Sequence, residues 1–245
     1  MSEIKHLGDI EQLNQGFETR TPEEILAWAW QEFGAGLLIS SSFQTQSVAL
    51  LHMVSLVCPE AEVLFLDTGY HFPETLVYRD MLQELFHLKI RNVYPAPDAE
   101  AYQKDHTPLY LKDPDRCCYL RKVEPMARAL AGAAAWVSGV RRDQTVHRQS
   151  IQIIELENEV YKIHPMANWT RRDLWAYISR HDLPSHPLFS QGYASIGCAP
   201  CTRPSMGDDE RSGRWAGTDK KECGLHTVAI PIQQTDPNQA KKKPQ

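Results

Sequence analysis

The chain has 245 residues, 42% of them hydrophobic, and a formal net charge of −5. That length supports one large domain with a real core, or a domain with extensions. The acidic balance excludes a general nucleic-acid binder, whose surface needs a basic surplus, and apolar runs such as Leu50 to Val57 are too short to span a membrane.

In chain order, residues 1–20 are polar and form an N-terminal extension without an assigned role; M-S-E-I-K-H-L-G-D-I carries no apolar signal segment, so a cytoplasmic protein is expected. Thr21-Pro22-Glu23-Glu24 starts a helix, with Thr as N-cap, Pro at the first helical position and Glu at N3. That helix carries Trp28 and Trp30 as packing residues. Gly34 and Gly36 end it, and Leu37 to Ser40 reads as a buried strand. The hydroxyl-rich loop Ser40 to Ser47 then leads into an apolar helix from about Val48 to Val57. Strand, polar loop, helix is the arrangement that aims backbone N–H groups at an anion. The loop has neither the glycines nor the lysine of a Walker A sequence.

Glu62 to Leu66 gives a second strand, which runs into Asp67-Thr68-Gly69; Pro73 opens a helix to about His87, and Lys89 to Tyr94 gives a third strand. Alternating strands and helices of this length imply a parallel twisted sheet with helices on both faces. Ligands in such folds bind beyond the carboxyl ends of the strands, where both polar loops lie. Arg116 to Leu130 reads as one helix kinked at Pro125. Ala134 to Val140 is the next strand and empties into G-V-R-R-D-Q-T-V-H-R, with Arg141, Arg142 and Arg148. Residues 151–156 and 160–163 read as a hairpin, and Thr170-x-x-Asp173 caps a helix to about Arg180. From Ser185 onward regular structure is expected to fade, and residues 227–245 read as a disordered tail.

Cysteines carry the chemistry. Cys117-Cys118 and Cys198-x-x-Cys201 are two close pairs, suited to a tetrahedral zinc ion or an iron–sulfur cluster. Adjacent cysteines chelate one ion awkwardly, whereas a cluster offers each sulfur its own iron, so the spacing favours the cluster. Cys58 ends an apolar helix and reads as inert core. Cys223 stands alone among Lys220, Lys221, Arg211 and Arg214, a setting that favours a nucleophilic thiolate. Local basic clusters in an acidic chain suit a small anionic ligand. His164 and His226 would ordinarily be surface or satisfied histidines, although His226 is three residues from Cys223.

Together, S-S-S-F-Q-T-Q-S, L-D-T-G-Y-H-F-P-E-T, G-V-R-R-D-Q, the split C-C and C-A-P-C pairs and E-C-G-L-H resemble the assimilatory adenylyl-sulfate reductases, within the phosphoadenylyl-sulfate reductase family. The resemblance runs from about residue 35 to His226 and implies an adenine-nucleotide α-hydrolase-like fold with a flexible C-terminal segment. It implies that Cys223 attacks the sulfur of adenosine 5′-phosphosulfate, and that thioredoxin or glutaredoxin then releases sulfite. It places Ser40, Ser41, Ser42, Phe43, Gln44, Thr45, Leu66, Asp67, Thr68 and Gly69 around the adenosine. The phosphosulfate would meet Lys122, Arg148, Arg211, Arg214 and His226, with Arg141 and Arg142 added from the strand-end loop. Cys117, Cys118, Cys198 and Cys201 would ligate a [4Fe-4S] cluster, with Lys122 linking cluster and substrate electrostatically. The expected division is therefore a nucleotide- and cluster-binding domain over 21–200 and a mobile catalytic segment over 201–226.

Three rivals stay open. A reductase of the 3′-phosphorylated nucleotide resembles members that usually lack the paired cysteines. A tRNA sulfurtransferase of the same fold would use a Ser-Gly-Gly-x-Asp-Ser loop, where this chain has Phe43 and Gln44 in the middle. A zinc-stapled nucleotide-binding module leaves Cys223 unexplained. A homo-oligomer is left open.

Overall fold

A computed structural model describes residues 7–97, 107–207 and 209–226. The tail expected over 227–245 and the first six residues of the extension lie outside the described residues. Six strands form one sheet: β1 (Leu37–Ser40), β2 (Glu62–Leu66), β3 (Lys89–Val93), β4 (Ala135–Ser138), β5 (Ile154–Glu157) and β6 (Val160–Ile163), ordered β3-β2-β1-β4-β6-β5. All pairings are parallel except β5 with β6. Asn158 and Glu159, both at positive φ (49° and 65°), turn that hairpin in two residues, the conformation that matches strand twist.

The strands alternate with period two between two apolar layers. Leu37, Ile39, Val63, Phe65, Ala135, Val137 and Ile163 face one core, while Leu38, Leu64, Trp136 and Val160 face the other. The first layer is covered by α2 (Pro22–Phe33), α3 (Val48–Val57) and α8 (Arg171–Arg180), each of which buries apolar side chains in it. Thr21 caps α2 and Thr170 caps α8 through reciprocal capping boxes with Glu24 and Asp173, as their spacing predicts. Cys58 is fully buried at the end of α3, and burial raises its thiol to about 12. The helix α4 (Pro73–Phe86) links β2 to β3.

The second layer is covered by a composite helix. In place of one kinked helix, the chain forms α5 (Leu109–Lys112), α6 (Pro114–Cys118), a π-helical turn over Tyr119–Val123, and α7 (Glu124–Ala129). Pro125 has no N–H to give to an earlier turn, and the widened turn ahead of it absorbs that missing bond. The turn rotates Arg121 inward, where it is 6% exposed.

Residues 7–20 are more ordered than their composition suggests. Asp9 caps a helix, α1 (Ile10–Phe17), by accepting from the backbone N–H of Glu11 and Gln12. The Asn14 side chain then completes the edge strand: its amide donates to the Ile154 carbonyl (2.9 Å) and its oxygen accepts from Ile154 N–H (2.8 Å). Glu18 takes two bonds from Arg142. The hairpin's first strand accordingly begins at Ile154, three residues later than expected. Past Ser185 the chain is irregular, apart from 3-10 turns at Pro187–Gln191 and Ala199–Cys201 and a bridge between Thr202 and Arg214. Among the described residues no helix is long and apolar enough to cross a membrane.

Candidate active site

In strand order the sheet reverses its winding between β1 and β4, and an open cleft lies beyond their carboxyl ends. Ser40, Ser41, Ser42 and Gln44 line it from β1, Leu66 and Thr68 from β2, and Ser138, Gly139 and Val140 from β4. Two residues expected in the first loop turn the other way. Phe43, at φ 49° and fully buried, sets its edge against Phe65 with centroids 5.5 Å apart. Thr45 is buried and accepts from the His186 N–H. Both hold the loop from beneath. Likewise Asp67 accepts from Gly69 N–H (3.0 Å) and fixes a tight turn, and neither residue lines the cleft. His71 was missed: it lines the cleft with Nε2 against the Leu66 carbonyl (2.8 Å). A carbonyl accepts only, so Nε2 carries the proton and Nδ1 is left as a buried acceptor without a partner among the described residues.

Opposite these loops the cleft is cationic. Lys122, Arg148, Arg211 and Arg214 all line it, with Cys223, Leu225 and His226. Among the described residues Lys122 and Arg214 have no carboxylate partner, and Arg214 Nε is buried without one of any kind. Burial opposes ionisation of Cys223, but Lys122, the Leu225 N–H, Arg214 and Arg148 outweigh it and lower the thiol's pKa. Arg214 and the Leu225 N–H are near in sequence, whereas Lys122 and Arg148 come from far upstream. Lys220, expected to help, pairs with Asp115 instead, and Lys221 is exposed.

The two adjacent arginines diverge. Arg141 is buried beside the cleft, donating to Asp143 (2.9 Å) and to Gln46 (3.0 Å) in a separate polar cavity. Arg142 points outward to Glu18, Asn168 and the Ile151 carbonyl, away from the cleft. Neither meets the space around Cys223: past the end of β4 at Ser138, Arg141 is the extended residue that precedes a 3-10 turn and Arg142 is the first residue in that turn. His226 is no surface residue. It stacks on Trp136 (5.3 Å, 20°) and meets His164 edge-on, and burial together with Arg148 and His164 holds it well below the ordinary histidine range. His164 is buried, shares a hydrogen bond with Ser138 (2.9 Å), and is depressed to about 3 by burial and Lys162. Glu222, an acid in a basic run that sequence reasoning passed over, accepts from Arg148, Arg211 and Thr145.

Behind Lys122 a smaller, tight cavity is lined by Cys117, Cys118, Cys198 and Cys201, with Tyr70, Arg121 and Trp215. Burial first, and the neighbouring sulfurs second for Cys117, raise Cys117 to about 12; burial raises Cys118 to about 11 against the charge of Lys122. The Thr68 hydroxyl is 3.3 Å from Cys198 Sγ, and Arg121 donates to the Thr68 carbonyl (2.8 Å) while lying over the Tyr70 ring. Among the described residues no three Cys, His, Asp or Glu stand close enough to share one metal ion.

The phosphoadenosine phosphosulfate reductase domain pattern matches residues 36–204. An adenosine 5′-phosphosulfate reductase of Streptomyces coelicolor is 40% identical over 228 residues, covering 91% of this chain and 95% of its own. A phosphoadenosine 5′-phosphosulfate reductase of Gloeobacter violaceus is 42% identical over 224 residues, 89% of this chain and 93% of its own. Among solved structures, the phosphoadenylyl-sulfate reductase of Candida auris in a phosphate complex superposes with a TM-score of 0.70 at 28% identity, covering 81% of this chain and 98% of that one.

Proposed function

The chain belongs to the phosphoadenosine phosphosulfate reductase family, and on that premise we propose that it reduces adenosine 5′-phosphosulfate to sulfite and AMP through an S-sulfocysteine on Cys223. One observation carries the reading: the Cys223 thiol, its pKa lowered, stands with Lys122, Arg148 and Arg214 in the cleft at the sheet's switch point. A sulfonyl sulfur bears anionic oxygens that repel an approaching thiolate, so the reaction needs fixed cations where charge gathers in the transition state. Two of these cations, Lys122 and Arg214, have no acid among the described residues to neutralise them.

In the first step Cys223 Sγ donates an electron pair to sulfur, the sulfur–oxygen bond to the phosphate breaks, and AMP leaves with that pair. The products are AMP and a thiosulfonate on Cys223. In the second, a thiolate of an external dithiol such as thioredoxin attacks Cys223 Sγ and expels sulfite with the sulfur–sulfur electron pair. The dithiol's other thiol then resolves the mixed disulfide, freeing Cys223 and leaving the reductant oxidised. Ser40, Ser41, Ser42, Gln44, Leu66 and Thr68 hold the adenosine in this reading. Neutral His226, pinned on Trp136, serves as a hydrogen-bonding group beside the phosphosulfate rather than as a further cation.

The cysteine-lined cavity suits a [4Fe-4S] cluster held by Cys117, Cys118, Cys198 and Cys201. Buried Cys117, Cys118 and Cys198 and the partly buried Cys201 line one small cavity with Arg121 and Lys122, and the adjacent Cys117 and Cys118 suit separate irons of a cluster better than a single zinc ion. When bound, the cluster supplies a compact polarising charge beside Lys122, and the sulfur chemistry runs on Cys223 and external thiols.

Relatives of both substrate names match at nearly equal identity, so the preference for the unphosphorylated nucleotide rests on the paired cysteines. The test is kcat/KM for adenosine 5′-phosphosulfate against its 3′-phosphorylated form, with thioredoxin and release of sulfite and AMP as readout. The first nucleotide is expected to win clearly. Preference for the second would transfer the reading to that substrate, and no sulfite from either would refute it.

A further inference from the structure

Glu222 sits beside the nucleophile, and both its oxygens are fully engaged. Oε1 accepts from Arg148 Nε (2.9 Å) and Thr145 Oγ1 (3.0 Å), and Oε2 from Arg148 Nη2 (2.7 Å) and Arg211 Nη2 (3.3 Å). Arg148 is 8% and Glu222 9% exposed, so this is a fork-to-fork pair largely out of water, the geometry in which a carboxylate–guanidinium contact is strongest. Arg148 is itself fixed by Gln144. The arginines that take Glu222 are also lining residues of the cleft.

The rest of the 216–226 strap is fastened more lightly. Lys220 pairs with the largely exposed Asp115, Arg211 donates to the Lys221 carbonyl (3.0 Å), and His226 stacks on Trp136. Gly217 (φ 84°) and Gly224 (φ 92°) bracket Glu222 and Cys223, and nothing lies within 4 Å of where a Gly217 side chain would start. Both positions have the backbone freedom a hinge requires. Closed, the strap holds Cys223 inside the cleft, half-buried; an external dithiol must nevertheless reach Sγ from outside. A strap that closes for one step and opens for the next needs a fastening near the sulfur.

We propose that Glu222 is the positioning residue of the nucleophile: its clamp on Arg148, Arg211 and Thr145 holds the strap closed with Cys223 at the reacting sulfur, and release of that clamp exposes the sulfonated cysteine to the dithiol. The inference rests on the S-sulfocysteine reading and adds to it an acid that touches neither substrate nor reductant. Glu222→Gln keeps the shape and removes the charge.

The experiment uses the full chain, isolated anaerobically with its metal, and separates the two half-reactions. Single-turnover sulfonation of Glu222→Gln by adenosine 5′-phosphosulfate is expected to slow by about 10- to 100-fold, the loss that goes with a charge-assisted bidentate bond. Amide exchange of the peptide spanning 216–226 rises by at least about tenfold, AMP binds no more weakly, and sulfite release by dithiol from pre-sulfonated enzyme is not slowed. A merely structural role would slow both half-reactions and lower the melting temperature and iron content. Glu222→Asp, with its charge kept on a shorter stem, shows the same pattern more weakly and stands in should Glu222→Gln fail to fold. Wild-type sulfonation and exchange in the variant would overturn the inference, as would tighter AMP binding with no other change, which would make Glu222 a neutraliser of the arginines. If instead Cys223→Ser still produced sulfite, the S-sulfocysteine reading itself would fail.

Discussion

Gly197 offers a way to displace a cleft-lining cation, Arg214, without deleting it. A Cβ built on Gly197 falls against the Arg214 guanidinium, 2.6 Å from Cζ. Real Cβ atoms do not stand that close, so in Gly197→Ala something must move. The Gly197 backbone has no left-handed torsion that alanine would resist, and the atom in the way is the end of a flexible side chain. Arg214 is only lightly held, at 3.4 Å from the Ile196 carbonyl and 3.5 Å from Ser195, and lies over Trp215. It therefore swings aside at small cost to the fold, about 1 kcal/mol or less by analogy with other substitutions away from the core. Its loss from the transition state is larger. Removing one preorganised donor to a developing anion costs about 3 kcal/mol, roughly 100-fold in kcat. The assay is steady-state sulfite formation by Gly197→Ala, Arg214→Ala and the double variant, with iron content measured because Cys198 is adjacent. Each single variant is expected to lose about two orders of magnitude, and the double variant little more, since both remove the same contact. Full activity in Gly197→Ala, or losses that multiply in the double variant with iron retained, would refute the placement of Arg214.

Other outcomes follow from the same geometry. Because Lys122 is the foremost charge lowering the Cys223 thiol, Lys122→Gln raises that pKa; the rise of single-turnover sulfonation with pH then moves to higher pH than in wild type, so the variant's deficit shrinks as pH rises. An unshifted pH profile would remove Lys122 from that role. Asn14→Ala breaks two hydrogen bonds to the edge strand and should lower unfolding free energy by about 2 kcal/mol in urea titration, without changing nucleotide affinity. Replacing Cys117, Cys118, Cys198 or Cys201 with Ser should remove iron and most activity; full iron content in any one variant would strike that residue from the ligand set.

Much of the scaffold was legible because local rules and tertiary packing agree in it. Leu37 to Ser40 and Glu62 to Leu66 are strands with the predicted bounds, and Thr21 and Thr170 cap as their spacing requires. The α1 helix was missed because its cap, Asp9, precedes a short segment whose stability comes from Asn14 reaching a hairpin 140 residues away and from Glu18 taking the Arg142 guanidinium. Site residues were legible as types and misleading as neighbours. Arg141 and Arg142 are adjacent and face apart, while Cys223 takes its charge support from Lys122 and Arg148, far upstream, rather than from Lys220 and Lys221. Phe43 could have been separated from its loop, since one large apolar residue in a hydroxyl-rich stretch is a core anchor; its burial bears that out. Glu222 and His71 lie inside the E-C-G-L-H and L-D-T-G-Y-H-F-P-E-T motifs, but their roles could not be read there, because what defines them is which partners the fold brings to them.

The central claim is that Cys223 accepts the sulfonate. The most direct measurement is mass spectrometry of wild-type enzyme mixed with adenosine 5′-phosphosulfate and no reductant, digested under conditions that preserve thiosulfonates. The account predicts the mass of one SO₃ group on the peptide containing Cys223, AMP released in equal amount, and loss of the adduct with release of sulfite when a dithiol is added. An adduct on another cysteine, or sulfite formed with Cys223 unmodified throughout, would contradict it.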